Sequence, residues 1–167
     1  FDSNGDFQGP SGTITFPKDN TYTCRELLSW SQNTNLDYAV IKLDRPVMGK
    51  TPLKIRREGK VSKSESLIVI GHPLGMPKMV TNNILIRDNS LTYIFKTNAD
   101  TFSGNSGSPV IGEISGLVEG ILVRGDEDLE MDINLGCQRM ARCGDKECRG
   151  ESVQRSTYLS FKNIPKI

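Results

Sequence analysis

The chain has 167 residues, with 21 Lys and Arg against 20 Asp and Glu, and a single histidine. That length holds one compact domain or two small packed halves, and the near-neutral balance lacks the basic excess of a nucleic-acid binder. The longest apolar run, Leu67-Ile68-Val69-Ile70, falls far short of the ~20 residues that span a bilayer, so neither nucleic acid nor membrane is expected as a partner.

In chain order, residues 12–16 alternate Thr-Ile-Thr-Phe and predict a short strand. Thr23 as a cap, with Leu27, Leu28 and Trp30 behind it, predicts a helix of one or two turns over 23–30. Residues 38–43 are mostly β-branched or apolar and predict a strand, with Asp37 at its mouth. The polar stretch 54–66 shows no buried period and is expected to connect two halves, 1–53 and 67–167. Residues 67–70, 79–86, 92–97, 109–111 and 117–123 then read as strands. Turn residues stand between them at Gly71-His72-Pro73, Asp88-Asn89-Ser90 and Gly112. So many short strands at close spacing predict an all-β sandwich or barrel.

Residues 125–151 open with Asp126, Glu127, Asp128, Glu130 and Asp132 and predict a solvated surface loop that contains cysteines. The cysteines are Cys24, Cys137, Cys143 and Cys148; their spacings are not those of a structural zinc site, and no histidine lies near them. Disulfides in an exported protein are expected instead, in one of three pairings that the spacing leaves open. Asp2-Ser3-Asn4-Gly5-Asp6 begins like a calcium loop, but Phe7 stands where that loop needs Gly and Thr13 where it needs Glu, so an Asx-rich turn is expected.

Two segments carry chemistry. Ser106 sits between glycines in Ser103-Gly104-Asn105-Ser106-Gly107-Ser108 and is followed by the strand at Pro109. Glycines permit the backbone angles of a tight turn and let a substrate carbonyl come close, and amides at such a turn can face a developing oxyanion. A strand after the serine, rather than a helix, separates the motif from an α/β-hydrolase elbow. Asp37, at the mouth of an apolar strand, is placed to be held rigidly and to orient a histidine.

Together, Asp37-Tyr38-Ala39-Val40-Ile41-Lys42-Leu43 and Gly104-Asn105-Ser106-Gly107-Ser108-Pro109-Val110 resemble the trypsin-like serine endopeptidases. Asn105, the Ser108-Pro109-Val110 run and Gly71-His72-Pro73-Leu74-Gly75 are most similar to the bacterial glutamyl-endopeptidase branch. The resemblance implies a chymotrypsin-like double β-barrel, its first barrel incomplete in this chain and 155–161 its last strand, with the active site in the cleft between barrels. It implies Ser106 as nucleophile, Gly104 and Ser106 N–H groups as oxyanion hole, and Asp37 as the acid of the triad. Asp100 would lie at the base of the primary specificity pocket, with Val123, Arg124 and Gly125 along the substrate channel. Polypeptide substrates are implied, with no metal or organic cofactor.

Three departures qualify this picture. Asn105 replaces the acid that precedes the serine in trypsin-like enzymes, so the salt bridge to a newly cut N-terminus is not available. Arg124 replaces an aromatic, and its charge opposes that of Asp100, which leaves specificity open. His72 lies between Asp37 and Ser106 in a Gly-His-Pro turn and reads as a turn residue, not the base. The base is therefore expected on a segment upstream of Phe1, a fragment of the same protein, and this chain alone is expected to be inactive. Secretion or a periplasmic location is expected. The alternative reading is a catalytically inactive pseudoprotease that serves as a protein-binding module.

Overall fold

The computed structural model describes residues 7–9, 12–14, 16–125, 127–141 and 149–161. The calcium-like string at 2–6 and two of the cysteines, Cys143 and Cys148, lie outside them. The chain divides into two units, one formed by 1–30, 39–51 and 161–167, the other by 31–38 and 52–160.

In the first unit, β1 (Phe7–Gly9) and β2 (Gly12–Ile14) form a small antiparallel pair. Most of β3 (Cys24–Gln32) and β4 (Asp37–Leu43), a second two-stranded sheet, also belongs here. The helix expected over 23–30 is thus a strand. Apolar residues at Leu27, Leu28 and Trp30 suit either a helix face or a half-covered strand, and pairing with β4 decides for the strand. Arg45 ties the segment before β3 together: its guanidinium donates to the carbonyls of Lys18 (2.8 Å), Asp19 (3.0 Å) and Thr21 (2.8 Å), and it stacks 4.1 Å above the Tyr22 ring. None of the described residues of this unit whose burial is defined is fully buried. Trp30 leaves 63% of its surface exposed and Met48 80%.

The second unit holds a seven-stranded sheet in the order β6-β5-β9-β10-β13-β8-β7. Its strands are β5 (Leu67–Gly71), β6 (Met79–Ile84), β7 (Ile86–Asp88), β8 (Ile94–Thr97), β9 (Pro109–Gly112), β10 (Val118–Arg124) and β13 (Ser152–Arg155). The two ends of that order, β6 and β7, are consecutive in the chain with only Leu85 between them, so the sheet curls into a nearly closed barrel. The expected single strand over 79–86 breaks there. Asn83 takes a left-handed φ of 56°, which Asn tolerates better than most residues. The Asn98 side chain then accepts the Leu85 N–H at 2.7 Å, which fixes the corner.

Alternation along the strands fills the barrel: Leu67 and Val69 of β5, Phe95 of β8, Leu122 of β10 and Val153 of β13 point inward and are buried. Val61, from the polar stretch 54–66, joins the same core at 3% exposure. Nearby, the Glu65 carboxylate accepts the Ile114 (2.9 Å) and Ser115 (3.0 Å) amides. Arg56 forms a bidentate pair with the buried Glu119, and Ser115 Oγ donates to the same carboxylate at 3.0 Å. The stretch therefore packs through polar partners as well as apolar ones, which a hydrophobic period does not reveal.

Residues 155–161 do not form the last strand. Strand β13 ends at Arg155, and a 3-10 turn follows over Ser156–Tyr158, held by Ser156 Oγ donating to Arg56 O at 2.8 Å and by Tyr158 edge-on to Tyr93 at 4.9 Å. The acidic stretch contains a hairpin, β11 (Leu129–Asp132) against β12 (Cys137–Met140). Its turn is organised by Asp132, whose carboxylate accepts the Asn134 and Leu135 amides. Cys24 and Cys137 are exposed free thiols, a correction to the expected staple: backbone pairing and the Asp132 turn already hold this hairpin. Among the described residues, no helix is long and apolar enough to cross a membrane.

Candidate active site

The segment 102–108 folds as two successive tight turns, with Asn105 N–H donating to Phe102 O (3.2 Å) and Ser108 N–H to Asn105 O (2.9 Å). Gly104 and Gly107 take φ values of 94° and 86°, which residues with a Cβ avoid. Strand β10 clamps the turn from below, Gly107 N–H donating to Leu122 O (2.7 Å) and Leu122 N–H to Ser108 O (3.0 Å). On its other flank, Leu74 N–H donates to Ser103 O at 2.7 Å. Ser106 is thereby presented to solvent. Among the described residues, neither the Gly104 nor the Ser106 amide has a hydrogen-bond partner. Asn105, by contrast, turns inward at 3% exposure and packs on Gly71, where any Cβ would overlap its side chain.

Asp37 is half-buried at the start of β4. Its N–H donates to Gln154 Oε1 at 3.2 Å, and Gln154 Nε2 donates to Tyr93 O at 2.9 Å. One buried amide on β13 thus anchors the residue read as the triad acid. The preceding turn is closed by Asn33, whose Oδ1 accepts the Asn35 and Leu36 amides. The exposed His72 engages its own turn, Nδ1 lying 3.1 Å from Met76 O.

A pocket of about 170 Å³ opens beside Ser106. Arg124 and Gly125 line it with Ser106, and all three are exposed, which marks the mouth. Thr101, Leu122 and Glu151 also line it and are buried, which marks the inner end; Asp128 is half-buried between. Val123 and Asp100 do not line the pocket, and Asp100 is exposed. Glu151 and Asp128 are the residues that sequence reasoning passed over. Asp128 sits in a run of surface-looking acids and Glu151 at the end of a Cys-, Arg- and Gly-containing stretch, where only its place directly before a strand hinted at a buried role.

Glu151 is 6% exposed, and its carboxyl is pushed up to about 7. Burial is the main cause, hydrogen bonds from Thr101 oppose it, and the charges of Asp128 and Asp100 add to it. A methyl group on Gly125 would overlap this carboxyl. Below pH 4.5 the group is protonated in both folded and unfolded chains. Between there and about 7 the unfolded chain releases a proton that the folded chain keeps, so stability falls as pH rises through that window. The span corresponds to at most about 3 kcal/mol. Thermal unfolding followed from pH 4 to 8 is expected to show this decline in the wild type and to lack this component in Glu151→Gln. Identical pH profiles for the two would refute it. Among the described residues, no group of three or more His, Cys, Asp or Glu is placed to hold a metal ion.

The trypsin-like peptidase domain family matches residues 8–121, and the chain belongs to that family. Among solved structures it is similar to the Rv3671c protease from M. tuberculosis in its active form, at 18% identity and a TM-score of 0.52, over 81% of this chain and 53% of that one. It is similar also to an inactive form of Rv3671c protease, at 20% identity and a TM-score of 0.50, over 81% of this chain and 63% of that one. The chain thus spans less than two thirds of the length of either. No curated protein matches it. The fold is all-β, of the chymotrypsin-like β-barrel class.

Proposed function

We propose that the chain is the larger part of a serine endopeptidase that cleaves polypeptides through an acyl-enzyme. The observation that carries this reading is Ser106, exposed on a glycine-flanked turn beside a pocket, with the Gly104 and Ser106 amides lacking partners among the described residues. Ser106 Oγ attacks the scissile carbonyl while its proton passes to a histidine, and the two amides hold the oxyanion. Collapse of the tetrahedral adduct breaks the C–N bond, and the histidine returns the proton to the leaving amine. Water then releases the acyl group by the same route. Asp37 orients the histidine and stabilises its charged form.

The histidine is supplied, in this proposal, by a segment upstream of Phe1. Two features support it: His72 is bound into its own turn, and the first unit leaves Leu27, Trp30 and Ile41 about half or more exposed on a two-stranded sheet. Such a sheet is marginal alone, and further strands would cover it. Secretion remains part of the proposal, without support from Cys24 or Cys137. The test is hydrolysis of a mixed peptide library by this chain combined with its upstream segment, which Ser106→Ala is expected to abolish. A combined protein that cleaves nothing would favour the pseudoprotease reading, a binding module on the same fold.

A further inference from the structure

We infer that Leu74 and Asp128 are positioning residues for the acyl transfer: they clamp Ser103 from two sides and so aim the Gly104 N–H at the oxyanion. This deepens the reading of Ser106 as nucleophile and rests on it. Ser103 O and the Gly104 N–H belong to one planar trans peptide group and point in opposite directions, so a hold on the carbonyl aims the amide. Gly104 itself does not select its φ of 94°, because glycine adopts either sign of φ about equally well. Turning that one peptide over would point the N–H away from the substrate.

The carbonyl is held by Leu74, whose N–H donates to it at 2.7 Å. Leu74 lies in the 3-10 turn Pro73–Gly75 after β5 and takes φ 53° and ψ 25°, a left-handed conformation that costs a side chain with a Cβ. Its side chain is 49% exposed, so packing does not repay that strain; the surrounding turn imposes it. Gly75 N–H donates to His72 O at 3.3 Å and Met76 N–H to Pro73 O at 2.9 Å, closing the turn. It sits so close that a Cβ on Gly104 would lie 3.1 Å from Leu74 N and 3.3 Å from His72 O.

The other hold is Asp128, whose Oδ2 accepts the Ser103 N–H. Asp128 is itself fixed, its carbonyl accepting the Ala141 N–H at 2.9 Å at the base of the β11–β12 hairpin. The peptides on both sides of Ser103 are thus pinned by segments distant in sequence, one after β5 and one after β10. The Gly104 N–H, opposite the clamped carbonyl, is left without a partner among the described residues. Loss of one oxyanion donor costs about 10²–10³ in turnover. A loosened clamp misaims the donor without removing it, so a smaller loss is expected, in kcat rather than KM.

The test measures peptide hydrolysis by this chain combined with its upstream segment. Asp128→Ala is expected to lower kcat about tenfold or more and to change KM by less than about threefold. Asp128→Asn keeps an oxygen that can accept the Ser103 N–H and is expected to recover most of that loss. Asp128 also lines the pocket beside Ser106; equal losses in Asn and Ala, or a loss confined to KM, would assign it to the pocket and overturn the inference. Leu74→Val resists a positive φ and is expected to lower kcat more than Leu74→Gly, which adopts it freely; the reverse order would overturn the inference too. Amide exchange in this chain alone reads the clamp without catalysis and without a variant, so it decides even if a variant does not fold. The Leu74 and Ser103 amides are expected to be protected about tenfold or more over those of Gly104 and Ser106, and equal protection of all four would sink the inference. No cleavage and no fluorophosphonate adduct at Ser106 in the wild-type combined protein would defeat the protease reading and this inference with it. Cleavage with kcat undiminished in Asp128→Ala would defeat the inference alone.

Discussion

Supplying the segment upstream of Phe1 is expected to raise the rate of fluorophosphonate labelling at Ser106 by a factor of about 10³ or more over this chain alone. The phosphonate reacts with an activated serine oxygen, and a serine hydroxyl at its free pKa is a weak nucleophile. Removing the histidine of a triad costs about 10⁶ in turnover in the best-measured case, while the oxyanion hole and binding alone keep a residual acceleration. In this chain the turn, its two amides without partners among the described residues, and the pocket are already formed, so the residual part is expected to be present and the base-dependent part missing. Intact mass before and after reaction reads the adduct directly, and Ser106→Ala removes it. Rapid labelling of this chain alone, equal to that of the combined protein, would defeat the proposal that the base lies upstream. No labelling in either form would leave the fold as a binding module.

The glycine-flanked turn around Ser106 was legible because its backbone chemistry is local. Gly104 and Gly107 take backbone angles that only glycine adopts freely, and a β-branched strand follows at Pro109–Gly112. The barrel strands were legible for the same reason: Leu67 and Val69 alternate with half-buried Ile68 and Ile70, and that period belongs to the chain itself. Other features depend on partners distant in sequence. The segment 23–30 reads as helix or strand until β4 pairs with it. Strands β11 and β12 expose most of their residues, so no alternation marks them inside an acidic run. Glu151 looks like the end of a polar loop; the fold brings it against Gly125 and Thr101 and makes it the buried end of the pocket. Asp100 shows the reverse. The resemblance placed it at the pocket base, and the turn that follows leaves it exposed outside the lining.

Gly120→Ala is expected to destabilise the chain by about 3 kcal/mol or more, through a contact that the same distant pairing creates. Gly120 lies in the middle of β10 and pairs with Val110 of β9 on one side and Arg155 of β13 on the other. A methyl group there would lie 2.7 Å from Val153 Cγ1 and overlap the Gln154 carbonyl. The side chain could shift, but the carbonyl belongs to the sheet and cannot move without parting β10 from β13. Gly116→Ala is the comparison: nothing lies within 4 Å of the added carbon, and only its φ of 65° resists, at a cost of about 1–2 kcal/mol. In urea, where unfolding slopes of about 1–3 kcal/mol per molar are usual, Gly120→Ala is expected to shift the midpoint by about 1 M or more, and Gly116→Ala by clearly less. Equal shifts would refute close strand approach as the reason for glycine at 120, where φ is not left-handed. The variant reaches the site as well. Strand β13 carries Gln154, which anchors Asp37, and follows directly on Glu151 at the inner end of the pocket. A β13 displaced by one methyl group would disturb both the Gln154 contact that anchors Asp37 and the buried Glu151 carboxyl at the inner end of the pocket.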